Sequence, residues 1–175
     1  GYDKKAHGSE IARMSKLPQK TASRKLDSLC KSGLLKFTRE GRNKVYFINR
    51  ESSLTTPFFV LVENYKTIKF MAEYKELGLL FKELPCGALI FGSYSKGTAN
   101  KDSDLDILFL CEKNKRVQEV IARMPVETHP QFSALDELKE EIKEKKALAL
   151  EIKDSHIIIN EIEKTVKMFL EVSRE

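Results

Sequence analysis

No stretch of these 175 residues is long enough and apolar enough to cross a bilayer. The polar opening Gly1–Glu10 has none of the charged-then-apolar layout of a secretory signal. A cytoplasmic protein with no membrane partner is the expectation. Cysteine is scarce and odd in number: Cys30, Cys86 and Cys111 lie far apart among apolar neighbours, with no spacing that could hold zinc. They read as small core residues. Apolar residues are not lacking, since 41% hydrophobic against 33% charged is ordinary for a globular protein and excludes disorder as the default. The length allows one domain or two small ones.

Acidic residues are few at one end. Residues 1–50 carry 13 Lys/Arg against 4 Asp/Glu, a net +9, whereas the remaining residues are net −4. Clustered positive charge attracts phosphate backbones whatever their sequence. The first fifty residues therefore point to an anionic partner, with a solvated basic face as the plainer alternative.

Ser9 is placed to cap a short helix that Leu17-Pro18 ends. A second helix starts near Pro18, with Ala22, Leu26, Leu29 and Cys30 as its buried stripe and Gly33 as its left-handed stop. The opposite face carries Gln19, Lys20, Thr21, Ser23, Arg24 and Asp27, groups that bond phosphates and base edges. Leu34–Thr38 and Lys44–Ile48 then alternate as strands around the turn Arg39-Glu40-Gly41-Arg42-Asn43. In this order the segment Glu10–Asn49 resembles a winged helix-turn-helix domain. The resemblance implies that Gln19–Ser32 is a recognition helix, that Arg39, Arg42 and Lys44 lie on the wing, and that double-stranded DNA is the partner. Such domains open with a helix that packs beneath the other two. Gly1–Gly8 is too short and polar for that, so the module reads as truncated, its surface completed by a partner chain or by the domain that follows, or else loosely folded.

From Leu54 to Leu84 an amphipathic pattern of Phe59, Val62, Tyr65, Ile68, Ala72 and Leu77 predicts a helical connector. Gly78 is expected to break it, leaving a short helix Leu79–Leu84 ended by Pro85. The stretch lacks the Gly, Ser and Pro of a flexible linker, so rigid coupling of two domains is expected.

The chemistry is concentrated between the apolar strands Ala88–Phe91 and Ile107–Leu110. After the first comes Gly92-Ser93-Tyr94-Ser95-Lys96-Gly97; before the second comes Lys101-Asp102-Ser103-Asp104-Leu105-Asp106. Gly92 lets backbone approach a phosphate with no side chain in the way, and Ser93 adds a hydroxyl and an amide to hold it. Lys96 and Lys101 are placed either to assist the phosphates or simply to solubilise the surface. Asp104 and Asp106 sit two apart on an extended segment, so both carboxylates leave the same face and repel each other unless a cation lies between them. Magnesium accepts a few carboxylates plus phosphate oxygens and water, which makes this a candidate metal–nucleotide site with Ser103 beside it.

Gly-Ser, a following Gly and Ser-Asp-x-Asp together resemble the signature of the polymerase-beta-like nucleotidyltransferase superfamily, from roughly Lys75 onward. The resemblance is to its minimal archaeal and bacterial members, which often occur with a helix-turn-helix segment or beside a helical partner protein. It implies an α+β fold with a mixed sheet and flanking helices. It also implies a nucleoside triphosphate substrate, ATP foremost, and two magnesium ions on three carboxylates. An acceptor would attack the α-phosphate and pyrophosphate would leave. The third carboxylate belongs on the next strand, here Val126–Phe132, where alternation puts Glu127, His129 and Gln131 on one face. Glu127 is the candidate third catalytic and metal-binding residue, with His129 the alternative and a site without a third acid the other outcome.

Towards the end, Ser133 is placed to cap a helix Ala134–Lys146, His156–Ile159 reads as a buried strand and Glu161–Val172 as an amphipathic helix. His7 and His156 receive no role. The expected domains are residues 1–52, a connector 53–85 and a catalytic domain 86–175. Nothing resembles a template-binding thumb, so transfer of one nucleotide to a protein residue or small molecule is expected rather than polymerisation. The competing expectation is a DNA-binding regulator, antitoxin-like, whose transferase domain senses nucleotide or binds a partner. A homodimer is compatible with either.

Overall fold

The computed structural model describes residues 2–173. The chain begins with a two-residue strand β1 (Ala6–His7), then helices α1 (Gly8–Met14) and α2 (Gln19–Lys31) and a hairpin of β2 (Leu35–Glu40) and β3 (Asn43–Ile48). The three strands form an antiparallel sheet in the order β1-β3-β2. α2 buries Ala22 and Leu26, as its periodicity predicts, and ends before Gly33 at φ +80°. Three local expectations shift. His7, rather than Ser9, stands at the start of α1 and provides no side-chain cap. Pro18 precedes α2 instead of opening it. The hairpin pairs Glu40 with Asn43, leaving Gly41-Arg42 as a two-residue turn in which Gly41 takes φ +60°.

Helices α3 (Thr55–Glu73) and α4 (Lys75–Phe81) follow. The break falls at Tyr74, not at Gly78, which is buried inside α4 and packs against α3. A β-carbon there would come within 3.2 Å of Met71 Cβ. Nor does α3 bury its predicted stripe. Its inner face is Thr55, Glu63, Thr67 and Phe70, while Tyr65 and Ile68 stand about two-thirds exposed. Apolar residues occupy both sides of this helix, so periodicity alone does not choose the buried side.

The rest of the chain is built on a mixed four-stranded sheet in the order β6-β5-β4-β7. In sequence the elements are β4 (Ala88–Ile90), α5 (Gly92–Lys96), β5 (Leu105–Phe109), α6 (Lys115–Ile121), β6 (Thr128–Phe132), α7 (Leu135–Lys143), α8 (Ala147–Asp154), β7 (Ile157–Ile159) and α9 (Ile162–Val172). β4 runs antiparallel to both β5 and β7, and β5 parallel to β6. Pro130 is tolerated in β6 because that strand lies at the edge. Alternation splits the core by face: Ala88, Ile90, Leu105, Ile107 and Phe109 pack under Phe70, Leu77 and Phe81, while Leu89, Leu108 and Ile158 pack under α7, α8 and α9. Full burial of side chains such as Phe81, Phe109 and Phe169 is worth roughly 1.5–3 kcal/mol each.

α7 is shorter than expected, starting after Ala134. The Ser133 hydroxyl bonds the Glu137 carboxylate at 3.0 Å rather than an orphan amide. α8 was not foreseen. Lys145, at φ +58°, turns the chain between these two helices.

The polar N-terminal segment also behaves differently from its composition. Tyr2 is buried in the second core cluster, with its ring 4.8 Å from Phe59 and 5.3 Å from Phe169. Asp3 contacts both Arg50 and Lys153. The first residues thus bind the basic module to α3, α8 and α9. The Tyr2 hydroxyl donates to Glu63 at 3.2 Å, and His156 stacks on Phe169 with its Nε2 3.8 Å from the same carboxylate. His156 Nδ1 donates to the Ile152 carbonyl at 2.6 Å. His156 therefore has a structural place, in a buried polar cluster at the junction of the chain's two ends.

Cys86 and Cys111 are brought together, their sulfurs 2.8 Å apart where β4 begins and β5 ends. Burial, and then the neighbouring thiol, push Cys86 up to about 12. No helix among the described residues is long and apolar enough to cross a membrane.

Candidate active site

β4 leads into the site through Phe91, whose amide donates to the Asp106 carbonyl at 3.0 Å. Gly92 then takes φ +64° and opens the five-residue α5, which Gly97 closes at φ +68°. Gly92 is required twice over. Its φ disfavours any side chain, and a β-carbon there would lie 2.1 Å from Asp106 Oδ2. The carboxylate of Asp106 is therefore seated directly on the glycine backbone. This is a closer reason for glycine than the phosphate approach expected from the motif.

The α5 turn is fixed from behind. Ser95 Oγ donates to the Gly92 carbonyl at 3.1 Å and meets the Ser155 hydroxyl at 3.0 Å, tying the turn to the end of α8. The Ser93 carbonyl accepts from the Thr98 amide at 3.0 Å. Among the described residues the Ser93 hydroxyl makes no hydrogen bond, which leaves it available to a ligand. Lys96 pairs with Glu151 at 2.7 Å. Ser103 closes its own turn, its hydroxyl accepting from the Asn100 amide at 2.9 Å. Lys101 is exposed on that turn.

Asp104 and Asp106 flank the fully buried Leu105, so both carboxylates leave the same face of β5, as the spacing requires. They are 40% and 33% exposed, open enough to meet a ligand. The parallel register sets His129 directly opposite Asp106. Its Nε2 lies 3.6 Å from Asp104 Oδ2 and its Nδ1 3.6 Å from Asp106 Oδ1. Glu127 is exposed one residue before β6, its carbonyl accepting from the Leu105 amide at 2.8 Å. Imidazole, not a third carboxylate, thus stands between the aspartates. Among the described residues no group of three or more His, Cys, Asp or Glu is arranged to hold a metal ion.

A groove beside α5 joins residues of the glycine motif to two lysines of α3. Lys66 and Lys69 of α3 face Lys96 and Gly97 across it, with Tyr94 and Ser95 in its wall. Lys66 is paired with the buried Glu63 at 2.6 Å. Burial raises the Tyr94 hydroxyl above its ordinary value, and nearby Asp104 adds to the shift. No sequence motif marks Lys66 or Lys69, because they reach the groove through the packing of α3.

At the other end of the chain, Gln19, Ser23, Arg42 and Lys44 line one polar groove between α2 and the hairpin. Gln19, Lys20, Arg24, Arg39 and Arg42 are exposed, while Thr21 and Ser23 are half-buried. Lys44 is engaged: it pairs with Asp27 at 2.7 Å and lies 4.5 Å from the centre of the Phe37 ring. That bond from Lys44 holds the Asp27 carboxyl below its usual range.

The mixed sheet thus carries two aspartates at the head of one strand, and one of them, Asp106, is seated against the glycine turn that follows the antiparallel neighbour. The family model described as "Nucleotidyltransferase domain" matches residues 74–175, more than half of the sequence. The chain belongs to that family, and the match takes in α4 as well as the sheet. No curated protein and no solved structure matches the chain.

Proposed function

We propose that the chain transfers a nucleoside monophosphate from a nucleoside triphosphate, ATP foremost, to an acceptor outside the chain. The observation that carries this is the seating of Asp106 on Gly92, with Asp104 beside it and the Ser93 hydroxyl without a hydrogen bond among the described residues. Asp104 and Asp106 are the catalytic pair, Gly92 and Ser93 the phosphate turn, and the groove of Lys66, Lys69 and Lys96 a basic wall for the polyphosphate. The acceptor's nucleophile forms a bond to the α-phosphorus as the bond to the bridging oxygen breaks. Pyrophosphate leaves, and the acceptor gives up its proton.

Two carboxylates on one face fit one divalent cation that completes its shell with phosphate oxygens and water, and magnesium suits that donor set. When bound, such an ion supplies charge neutralisation at the phosphates. The donor set does not fit a second magnesium on a third carboxylate, because His129 occupies the place between the aspartates and imidazole is a poor magnesium ligand. A third acid would have to come from Glu127, which is exposed one residue before β6. Incubation with ATP labelled at the α-phosphate is expected to move label to the acceptor. Label transferred from the γ-phosphate instead would contradict the reading.

We infer that residues 1–52 form a winged-helix module for duplex DNA, joined through 53–85 to the catalytic residues 86–175. The order of two helices and a β-hairpin supports it, as do the exposed Gln19, Lys20, Arg24, Arg39 and Arg42 beside Thr21 and Ser23. Lys44 contributes by supporting the groove through Asp27 rather than by contacting phosphate. Duplex affinity is expected to fall steeply with salt, and Arg24→Ala with Arg42→Ala to flatten that dependence by roughly two phosphate contacts. Affinity unchanged between about 50 and about 200 mM salt, a range over which the Debye length roughly halves, would contradict it. A second reading follows from His129: a DNA-binding regulator whose transferase domain binds nucleotide without turning it over. Operator binding that responds to ATP, with no label transfer, is its signature.

A further inference from the structure

Nine large apolar side chains are exposed among the described residues, and six of them form one surface: Leu54, Phe58, Leu61, Tyr65 and Ile68 along α3, joined by Leu79 of α4. Leu61, Tyr65, Ile68 and Leu79 are each about two-thirds exposed. From Leu54 the positions advance by four, three, four and three residues and continue to Ala72. That is the heptad seam of a helix that packs lengthwise on another helix. The opposite face of α3, with Glu63, Thr67 and Phe70, is already buried against β7 and α9. Among the described residues the helix therefore has an inner face for its own core and an outer seam left exposed.

We propose that this seam is the interface of a homodimer, in which the α3 helices of two copies lie antiparallel about a two-fold axis between Leu61 and Tyr65. The inference is independent of the chemistry assigned to the catalytic site. Such an axis sets Leu61 against the second copy's Tyr65, Phe58 against its Ile68 and Leu54 against its Ala72. Each contact occurs twice, as a self-complementary patch requires. Charge favours the same arrangement. No charged residue lies between Leu54 and Leu61, whereas Lys69, Glu73 and Lys75 follow Ile68. Antiparallel pairing lays each charged end over an uncharged one, while parallel pairing would bring two Lys69 side chains to the same level. The area is sufficient: the six side chains expose on the order of 700 Å², close to the roughly 800 Å² per partner of a standard interface.

Light scattering on the full chain tests this at about 100 µM, well above the dissociation constant of even a micromolar interface of this size. The wild type is expected at twice the chain mass of 20.1 kDa, and Leu61→Glu at 20.1 kDa with unchanged circular dichroism. Ile68→Glu carries the same test should Leu61→Glu lose its helical signal. Leu61→Glu with Tyr65→Lys is expected to restore the dimer, since each glutamate then faces a lysine of the other copy. A wild type at 20.1 kDa, or a dimer that survives both Leu61→Glu and Ile68→Glu, overturns the proposal. Failure of the double variant to recover the dimer overturns the antiparallel register.

Discussion

Gly92→Ala is expected to lower nucleotide turnover by about a hundredfold or more, the loss that a displacement near 1 Å causes when reacting groups must be held in register. The added methyl would fall 2.1 Å from Asp106 Oδ2, so either the carboxylate swings away or the turn moves. Backbone strain contributes as well, because alanine at φ +64° costs on the order of 1 kcal/mol. Gly97 separates the two effects. It has φ +68°, but a β-carbon there meets nothing within 4 Å. Gly97→Ala is thus expected to lose about 1 kcal/mol of stability and keep most of its turnover. Thermal unfolding and pyrophosphate release, measured on both variants, check this. Equal turnover losses would mean that the Gly92–Asp106 contact has no special part.

The second large effect is on stability. Removing the carboxylate with Glu63→Ala strips Tyr2, Lys66 and His156 of their common partner in a buried cluster, and breaking such a cluster from one side costs roughly 3–5 kcal/mol. The pH dependence has a definite sign. Burial pushes the Glu63 carboxyl up, but His156 and Lys66 outweigh it and hold the group below the ordinary range of a glutamate. A group whose pKa is lowered by folding adds stability above its unfolded value and loses it as pH falls through the folded one. Denaturant unfolding of wild type and Glu63→Gln is therefore expected to differ fully above about pH 4.5 and to converge in more acidic solution. A difference that grows on acidification would contradict the assignment.

What was legible in the sequence was local. Gly92-Ser93 and Asp104-x-Asp106 lie within fifteen residues, and the two-residue spacing of the aspartates fixes their common face once the segment is extended. α2, α9 and β7 followed from periodicity because each has one clear apolar side or is apolar throughout. The failures were of another kind. α3 carries apolar residues on two sides, and tertiary packing alone decides that Phe70 goes in and Ile68 stays out. Gly78 looked like a helix breaker because its close approach to Met71 depends on how α3 and α4 meet. Alternation named His129 beside Glu127, but the choice between them rests on the parallel register of β5 and β6, which no short window encodes. The same holds for Cys86 beside Cys111 and for Tyr2, which lies 61 residues from Glu63. Spacing finds chemistry that one strand or turn can hold, while chemistry shared between strands needs the register.

The coupling of the two ends bears on function. Ser95 meets Ser155, and the next residue, His156, belongs to the cluster with Tyr2 and Glu63. The Gly92–Gly97 turn and the N-terminal residues are thus joined by a short chain of contacts. Lys66 adds a second link, since it bonds Glu63 while lining the groove beside α5.

The most direct test is calorimetric titration of ATP with magnesium into the wild type and the Asp104→Asn/Asp106→Asn variant, with pyrophosphate followed in the same samples. Magnesium-dependent binding to the wild type, lost in the variant, is the expected result, because each aspartate removed would hold the cation that the phosphates share. Equal binding to both proteins, or none to either, would contradict the assignment of this face of the sheet as a nucleotide site.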